Sequence, residues 1–226
     1  MSSYPFKKRP LYQGTIWLLA CFAMFAAVAI ASEYGVDREV ACALIVAFAL
    51  WCGLAHFLRL MIALKIDTAK NVPVIEELKR MSKSDQVFLA DIDPSGSGAA
   101  LNLAVYLASN RGAIPLEVLV DNFLEELDKS WQPSMGSMLM AMQLLPVFGF
   151  AFTLKGLRDG LGQGADLETC FGLMLDTSLI GACGSIVCYG LWRIADAACH
   201  AHAADLRKLG SQFSEEPVQP EPQLIL

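Results

Sequence analysis

The chain has 226 residues, of which 55% are hydrophobic and 18% charged, with a mean hydropathy of +0.45 and a formal net charge of -6. Soluble domains of this size carry about 25% charged residues, so the composition indicates a membrane protein. The acidic balance excludes a nucleic-acid binder, since no basic face is available to neutralise phosphates. The cysteines lie mostly in apolar stretches without C-x-x-C pairs. We therefore expect the cysteines to be reduced thiols packed within helices, and we expect neither a metal site nor a cofactor.

Four apolar segments approach or exceed the length of about 20 residues that a spanning helix needs. They are residues 15–32, 40–64, 135–154 and 171–194. Each should be helical, because a single segment in lipid has to satisfy its own backbone hydrogen bonds. The first could instead be a cleavable signal peptide, since basic residues precede it and Ala29-Ile30-Ala31 lies near its end. Its length, and the second span close behind it, favour retention.

The positions of Lys and Arg predict the orientation of these spans, because cytoplasmic segments carry an excess of both. The largest group falls between the second and third spans, and smaller groups lie near the two ends of the chain. Both termini and the segment between the second and third spans are therefore predicted to be cytoplasmic. The expected location is the bacterial inner membrane, with two short external loops.

The predicted fold is an all-α membrane protein with four transmembrane helices, a cytoplasmic helical insertion between the second and third, and a helical extension after the fourth. Its segments are a tail (1–14), a first helix pair (15–64), the insertion (65–134), a channel-like pair with its extension (135–210) and a low-complexity tail expected to be disordered (211–226).

Three helices are predicted inside the insertion. They are Val72–Asp91, with Pro73 in its first turn, Ala99–Ser109, and the amphipathic Ile114–Trp131. In the extension, His200 and His202 are two residues apart and do not share a helix face. We expect both to be solvated histidines and not metal ligands.

The end of the third span carries a distinctive pattern. Pro146 frees a backbone carbonyl, while Gly149, Thr153 and Gly156 follow at spacings of four and three residues on one helix face. Small residues at such spacing let another helix approach closely. The sequence thus predicts a packing groove that contains one hydroxyl group.

The fourth span has a matching face. Ser178, Gly181 and Ser185 align at spacings of three and four residues, and Asp176 and Thr177 precede them. An ionisable residue inside a span is costly and usually faces a bundle interior or a water-filled path. Asp176 is therefore a candidate ion-pathway residue, with a structural pairing role as the alternative.

These two patterns resemble the last two spans of the MotA/TolQ/ExbB proton-channel family. The similarity covers about Trp131 to Leu209, and it includes P-x-x-G-x-x-x-T-x-x-G at Pro146–Gly156 and the Thr177-Ser178 pair followed by Gly181. The order of segments also agrees, and the four predicted spans match the stator branch of the family better than its three-span branch.

The resemblance implies a homo-oligomeric ring, typically of five subunits, around a single-span partner similar to MotB, ExbD or TolR whose membrane aspartate carries the ion. It implies ion-pathway hydroxyls at Thr153, Thr177 and Ser178, to which Asp176 adds a carboxylate. It implies that the helix-packing or partner-interface residues are Pro146, Gly149, Gly156 and Gly181.

The chain departs from the family at two places. The bulky run Phe150-Ala-Phe152 replaces the family's small Leu-Leu-Gly run and puts Phe152 before Thr153 where glycine is usual, and Asp176 replaces an uncharged residue. A bulkier lining could narrow the path, change the partner or leave the channel without conduction.

Two hypotheses follow from these patterns. One is an ion-conducting subunit for H⁺ or Na⁺, and the alternative is a non-conducting membrane scaffold of the same architecture. A stand-alone transporter is disfavoured, because the chain has no inverted repeat. An enzyme is not expected, because the sequence contains no nucleophile–base set or phosphate loop.

Overall fold

A computed structural model of the protein describes residues 38–81, 89, 91–94, 96–112, 114–162 and 167–213. In this part of the chain the regular structure is entirely helical, without a strand. The elements are α1 (Arg38–Phe48), a π-helical segment (Ala49–Ala55), α2 (His56–Arg80), α3 (Ala99–Ser109), α4 (Leu116–Gly162) and α5 (Leu167–Gln212).

Three helices are long and apolar enough to cross a membrane: Cys42–Arg80, Leu116–Arg158 and Cys170–Gln212. They contain the second, third and fourth predicted spans almost completely. The part of the chain that the structure describes is therefore all-helical, and its three long apolar helices are those of a multi-pass membrane protein, as the composition predicts. The first predicted span, at 15–32, and the tails 1–14 and 214–226 lie outside the described residues.

Two predicted helix boundaries are wrong. The second span continues through the polar residues after Leu64 to Arg80, so Pro73 lies inside α2 and not in the first turn of a separate helix. Likewise, α4 is unbroken where the sequence suggests an amphipathic helix followed by a span, and it contains Pro133. An internal proline costs about 3 kcal/mol, and here that cost does not end either helix.

The described residues form two compact units. The first consists of residues up to Ala63 together with Lys129–Cys199, and the second of Leu64–Asp128 together with the residues from His200 onwards. In the first unit, aromatic and aliphatic side chains make one core. The rings of Phe48 and Phe148 meet edge to face at 5.1 Å. The buried core members are Ile45, Phe48, Cys52, Ala141, Leu145, Phe148, Phe152 and Cys188.

The π-helical segment approaches α5 closely at Gly53. A Cβ atom at Gly53 would stand 2.6 Å from the Cys188 Sγ atom, which is well inside van der Waals contact. We expect Gly53→Ala to destabilise the protein by about 1–3 kcal/mol because the sulfur has to move. Cys188→Ala removes that sulfur and should relieve the clash in the double variant.

A double-mutant cycle measures this coupling, with the free energy of unfolding of the four proteins compared in the same detergent. The double variant should be more stable than the sum of the two single effects predicts. Simple additivity would contradict the contact between Gly53 and Cys188.

Candidate functional site

The backbones of α4 and α5 touch at two glycines. A Cβ atom at Gly181 would lie 2.6 Å from the Leu145 carbonyl oxygen and 3.3 Å from the Gly149 Cα atom, while one at Gly149 would lie 2.8 Å from the Thr177 carbonyl oxygen. The obstructing atoms belong to the backbone and cannot rotate away as the end of a side chain can. Glycine is therefore required at both positions for this helix contact.

A pair of hydroxyl groups sits beside this contact. The Thr153 Oγ1 atom is 2.5 Å from the Ser178 Oγ atom, 2.9 Å from the Gly149 carbonyl oxygen and 3.2 Å from the Met174 carbonyl oxygen. A hydroxyl has one proton to donate and two lone pairs to accept with. If Thr153 donates to a carbonyl, Ser178 donates to Thr153, and the two hydroxyls form a short hydrogen-bonded chain between the helices.

The exposure of the site residues divides them into two groups. Thr153, Ser178 and Asp176 are partly exposed, whereas Thr177 is completely buried. The Thr177 hydroxyl lies 3.5 Å from the Gly149 carbonyl oxygen, at the limit of a hydrogen bond. Thr177 thus belongs to the packed side of the helix contact, and the other three residues remain partly accessible at its edge.

Pro146 creates a second polar link between the same helices. Because proline lacks an amide N–H, the Met142 carbonyl four residues earlier loses its usual helical donor. The Ser185 hydroxyl of α5 donates to this carbonyl at 2.7 Å. The sequence alone predicts a freed carbonyl before Pro146 and a serine at position 185, but it does not show that the two groups form a hydrogen bond. Pro146 itself is exposed, and Gly156 is buried further along α4.

Phe152 does not face the hydroxyl pair. It is 1% exposed and belongs to the hydrophobic core of the first unit. The expectation that Phe152 could narrow a path beside Thr153 is therefore wrong, because successive residues of a helix point about 100° apart. The spacing of Ala141, Leu145, Phe148 and Phe152 was the available signal, since it marks a buried stripe.

His202, in the second unit, is a residue whose role the sequence did not reveal. It is 9% exposed, and its Nε2 atom is 2.7 Å from an Asp67 carboxylate oxygen. The expectation of a solvated histidine is wrong for this residue, whereas His200 is exposed. The two partners are too far apart in sequence for helix periodicity to pair them.

Asp67 and Asn71 together hold the beginning of α3. The Asp67 carboxylate accepts hydrogen bonds from the Ala99 amide at 2.8 Å and from the Asn71 side chain at 2.9 Å, and the Asn71 side-chain oxygen accepts from the Ala100 amide at 2.9 Å. These bonds satisfy two amides that have no partner inside the helix. Asp67 lies beyond the apolar stretch that ends at Leu64.

The pKa of the Asp67 carboxyl is lowered. Burial alone would raise it, but the hydrogen bonds from His202, the Ala99 amide and Asn71, together with attraction to His202, outweigh this effect. The Thr68 hydroxyl donates to the Leu64 carbonyl at 2.8 Å and faces the His202 Nδ1 atom at 3.5 Å. The His202 ring is therefore held between the Asp67 carboxylate and the Thr68 hydroxyl.

Among the described residues, no three His, Cys, Asp or Glu side chains come together as a possible metal site. The chain matches no protein-family model and no curated protein.

Proposed function

We propose that this chain is an ion-conducting ring subunit of a bacterial inner-membrane complex that couples an ion gradient to movement of a single-span partner. The observation that carries the proposal is the contact between the Thr153 and Ser178 hydroxyls at a glycine-lined junction of two apolar helices. The ionisable Asp176 lies two residues before Ser178, and an ionisable residue inside a span is costly in lipid and usually faces a polar path or a partner.

The partial exposure of the site supports this role. Thr153, Ser178 and Asp176 are accessible at the edge of the helix pair, so an ion or a partner carboxylate can approach them from outside the pair. Each hydroxyl oxygen has two lone pairs, and carboxylate and hydroxyl oxygens suit H⁺ transfer as well as Na⁺ binding. One elementary charge crossing 100 mV releases about 2.3 kcal/mol, which is enough to bias a small conformational step.

The proposed assembly is a ring of five copies around a partner similar to MotB, ExbD or TolR that carries a membrane aspartate. Large apolar side chains next to the site are exposed, with Phe150 at 60%, Leu154 at 51% and Leu179 at 63%. These faces are available to lipid, to further copies and to an apolar single helix. The proposed orientation places both termini in the cytoplasm.

One observation favours the alternative of a non-conducting scaffold. Thr153 lies within hydrogen-bonding distance of two carbonyl oxygens of its own helix pair, and Ser185 bonds to a third. Hydroxyls used in this way clamp helices together. On this alternative, Thr153 contributes to assembly and no ion crosses.

Ion flux in proteoliposomes separates the two functions. The chain is co-expressed with its chromosomal neighbours, purified with any single-span partner it retains, and tested for proton and sodium uptake under an imposed potential. Thr153→Ala is expected to reduce flux by about 100-fold or more, because it removes the hydroxyl that links α4 to Ser178, while Thr153→Ser should retain flux. Native mass spectrometry reports whether each variant still forms the same ring.

Ser137→Ala is the matched control. Ser137 lies on the same helix and donates only a local bond, to the Pro133 carbonyl at 2.7 Å, so it should leave flux unchanged. Normal flux in an intact Thr153→Ala ring would overturn the ion-path assignment. A Thr153→Ala chain that no longer assembles, or a wild-type ring without flux, would favour the scaffold.

A further inference from the structure

The second unit contains an open groove of about 260 Å³ between α2 and α5. Its walls consist of Thr68, Asn71, Val72, Ile75 and Lys79 from α2, and His202, Asp205, Leu206, Lys208, Leu209 and Gln212 from α5. The volume falls below the roughly 300–1,000 Å³ of pockets for drug-sized ligands. A groove of this size suits a few side chains of a peptide.

The polar groups at the inner end of the groove already bind one another. The His202 ring lies between Asp67 and Thr68, and the Asn71 side chain bonds to Asp67 and to the Ala100 amide. The remaining wall carries apolar side chains together with the charged side chains of Lys79, Lys208 and Asp205. Val72 is 53% exposed on the wall.

The ion pair that Lys208 makes within the groove wall is weak. The Lys208 ammonium is 4.0 Å from the Asp205 carboxylate, with side chains that are 80% and 72% exposed. Such a pair contributes about 0–1 kcal/mol and exchanges readily. Because the wall has two lysines and one carboxylate, the groove fits a segment that combines carboxylates with apolar side chains.

The chain itself contains such a segment immediately after the groove. Residues 214–226 read SEEPVQPEPQLIL, with three glutamates, no lysine or arginine, and apolar residues at Val218 and at 224–226. Three prolines disfavour a regular helix and suit binding in an extended form. The segment begins two residues after Gln212, which belongs to the groove wall.

The segment is also long enough to reach back into the groove. α5 ends at Gln212, and the Phe213 amide donates to the Gly210 carbonyl at 3.1 Å in a closing turn. Thirteen extended residues cover about 40 Å, at about 3.1 Å per residue. The wall from His202 to Gln212 is about 15 Å long, at about 1.5 Å per residue.

We propose that residues 214–226 bind in this groove of the same chain, with their glutamates at Lys79 and Lys208 and their apolar residues on Val72 and Ile75. The segment then competes with any other acidic peptide that approaches the same surface. This inference does not rest on ion conduction, since none of these residues belongs to the Thr153 site.

Hydrogen exchange of the full-length protein in detergent, followed by mass spectrometry, tests the proposal. A chain that stops after Phe213 should exchange the amides of 72–79 and 204–212 about tenfold faster than the complete chain. The tenfold ratio follows if the tethered segment has an effective concentration of about 1 mM at the groove and binds there with a dissociation constant of about 0.1 mM. Peptides from 171–185 are the internal control and should not change, and adding synthetic peptide 214–226 should restore the protection.

Charge exchange provides the second arm. The double variant Lys79→Glu/Lys208→Glu should imitate the truncation. Combining it with Glu215→Lys, Glu216→Lys and Glu221→Lys should recover the protection. Equal exchange in the truncated and complete chains would overturn the proposal. Protection that disappears on dilution to monomers would also overturn it in favour of a tail from a second copy, and equal protection by a scrambled acidic peptide would overturn it in favour of a general acidic partner.

Discussion

Gly181→Ala is expected to lower the thermal unfolding temperature by several degrees, although alanine is the better helix former. The gain in helix propensity is about 1 kcal/mol. Against it, the new Cβ would lie 2.6 Å from the Leu145 carbonyl oxygen and 3.3 Å from the Gly149 Cα atom. Overpacking against atoms that cannot rotate away costs about 1–3 kcal/mol or more, and separating the helices also weakens the Thr153 and Ser185 hydrogen bonds.

The measurement is thermal unfolding in detergent. A loss of 1 kcal/mol in stability lowers the midpoint temperature by about 2–4 °C for a protein of this size. Gly190→Ala is the matched control, because it lies on the same helix with no atom within 4 Å of its added Cβ. It should be neutral or stabilising. If Gly181→Ala were as stable as Gly190→Ala, the close approach of α4 and α5 would be wrong.

Asp67→Ala is expected to destabilise the second unit by about 2–4 kcal/mol. The variant leaves His202, the Ala99 amide and the Asn71 side chain without their common acceptor. Each buried polar group that loses its hydrogen-bond acceptor costs about 1–3 kcal/mol, and the 28% exposure of the Asp67 side chain keeps the total at the low end of the sum. Hydrogen exchange at 99–103 should rise, because the beginning of α3 loses a hydrogen bond.

Asp121→Ala is the control for this variant. It removes another aspartate bonded to α5, but Asp121 and Arg207 are 62% and 66% exposed, and such surface pairs contribute about 0–1 kcal/mol. Equal losses from Asp67→Ala and Asp121→Ala would contradict the special position of Asp67.

The effect of Asp67 should also depend on pH. Its pKa lies below the ordinary aspartate value of 3.8, so the unfolded chain binds the proton more readily than the folded chain. The stabilisation is therefore complete above that value and is lost as the pH falls through the lowered pKa. The stability difference between wild type and Asp67→Ala should shrink in acid, and a difference that grew in acid would contradict the sign.

The sequence predicted the helical class and the three candidate spans among the described residues. Long apolar segments in lipid have few alternatives to the helix, because they must satisfy their own backbone hydrogen bonds. It also identified Gly149, Gly181 and Thr153 through their spacing, which is a local property of one helix. It could not show which residues meet across helices. The Ser185 bond to Met142 and the His202 pair with Asp67 depend on the relative register of helices, and no periodicity within one segment encodes that register.

Helix continuity was also beyond the sequence. The polar residues after Leu64, and Pro73 and Pro133, resemble helix ends when they are considered locally. In the structure, α2 and α4 continue through them. Packing on both sides of a proline can outweigh its local cost, and that packing involves residues distant in the chain.

The π-helical segment at Ala49–Ala55 has a consequence for length variation in this chain. Deleting one residue from an ordinary α-helix turns every later side chain by about 100° and withdraws it by about 1.5 Å. A π-helix holds more residues in each turn, so the loss of one residue there can be absorbed by tightening to α-helix. In a relative that lacks one residue between positions 49 and 55, the residues equivalent to Ile45 and Leu60 would therefore keep their present orientations relative to each other. A one-residue deletion in the α-helical part between them would rotate one relative to the other.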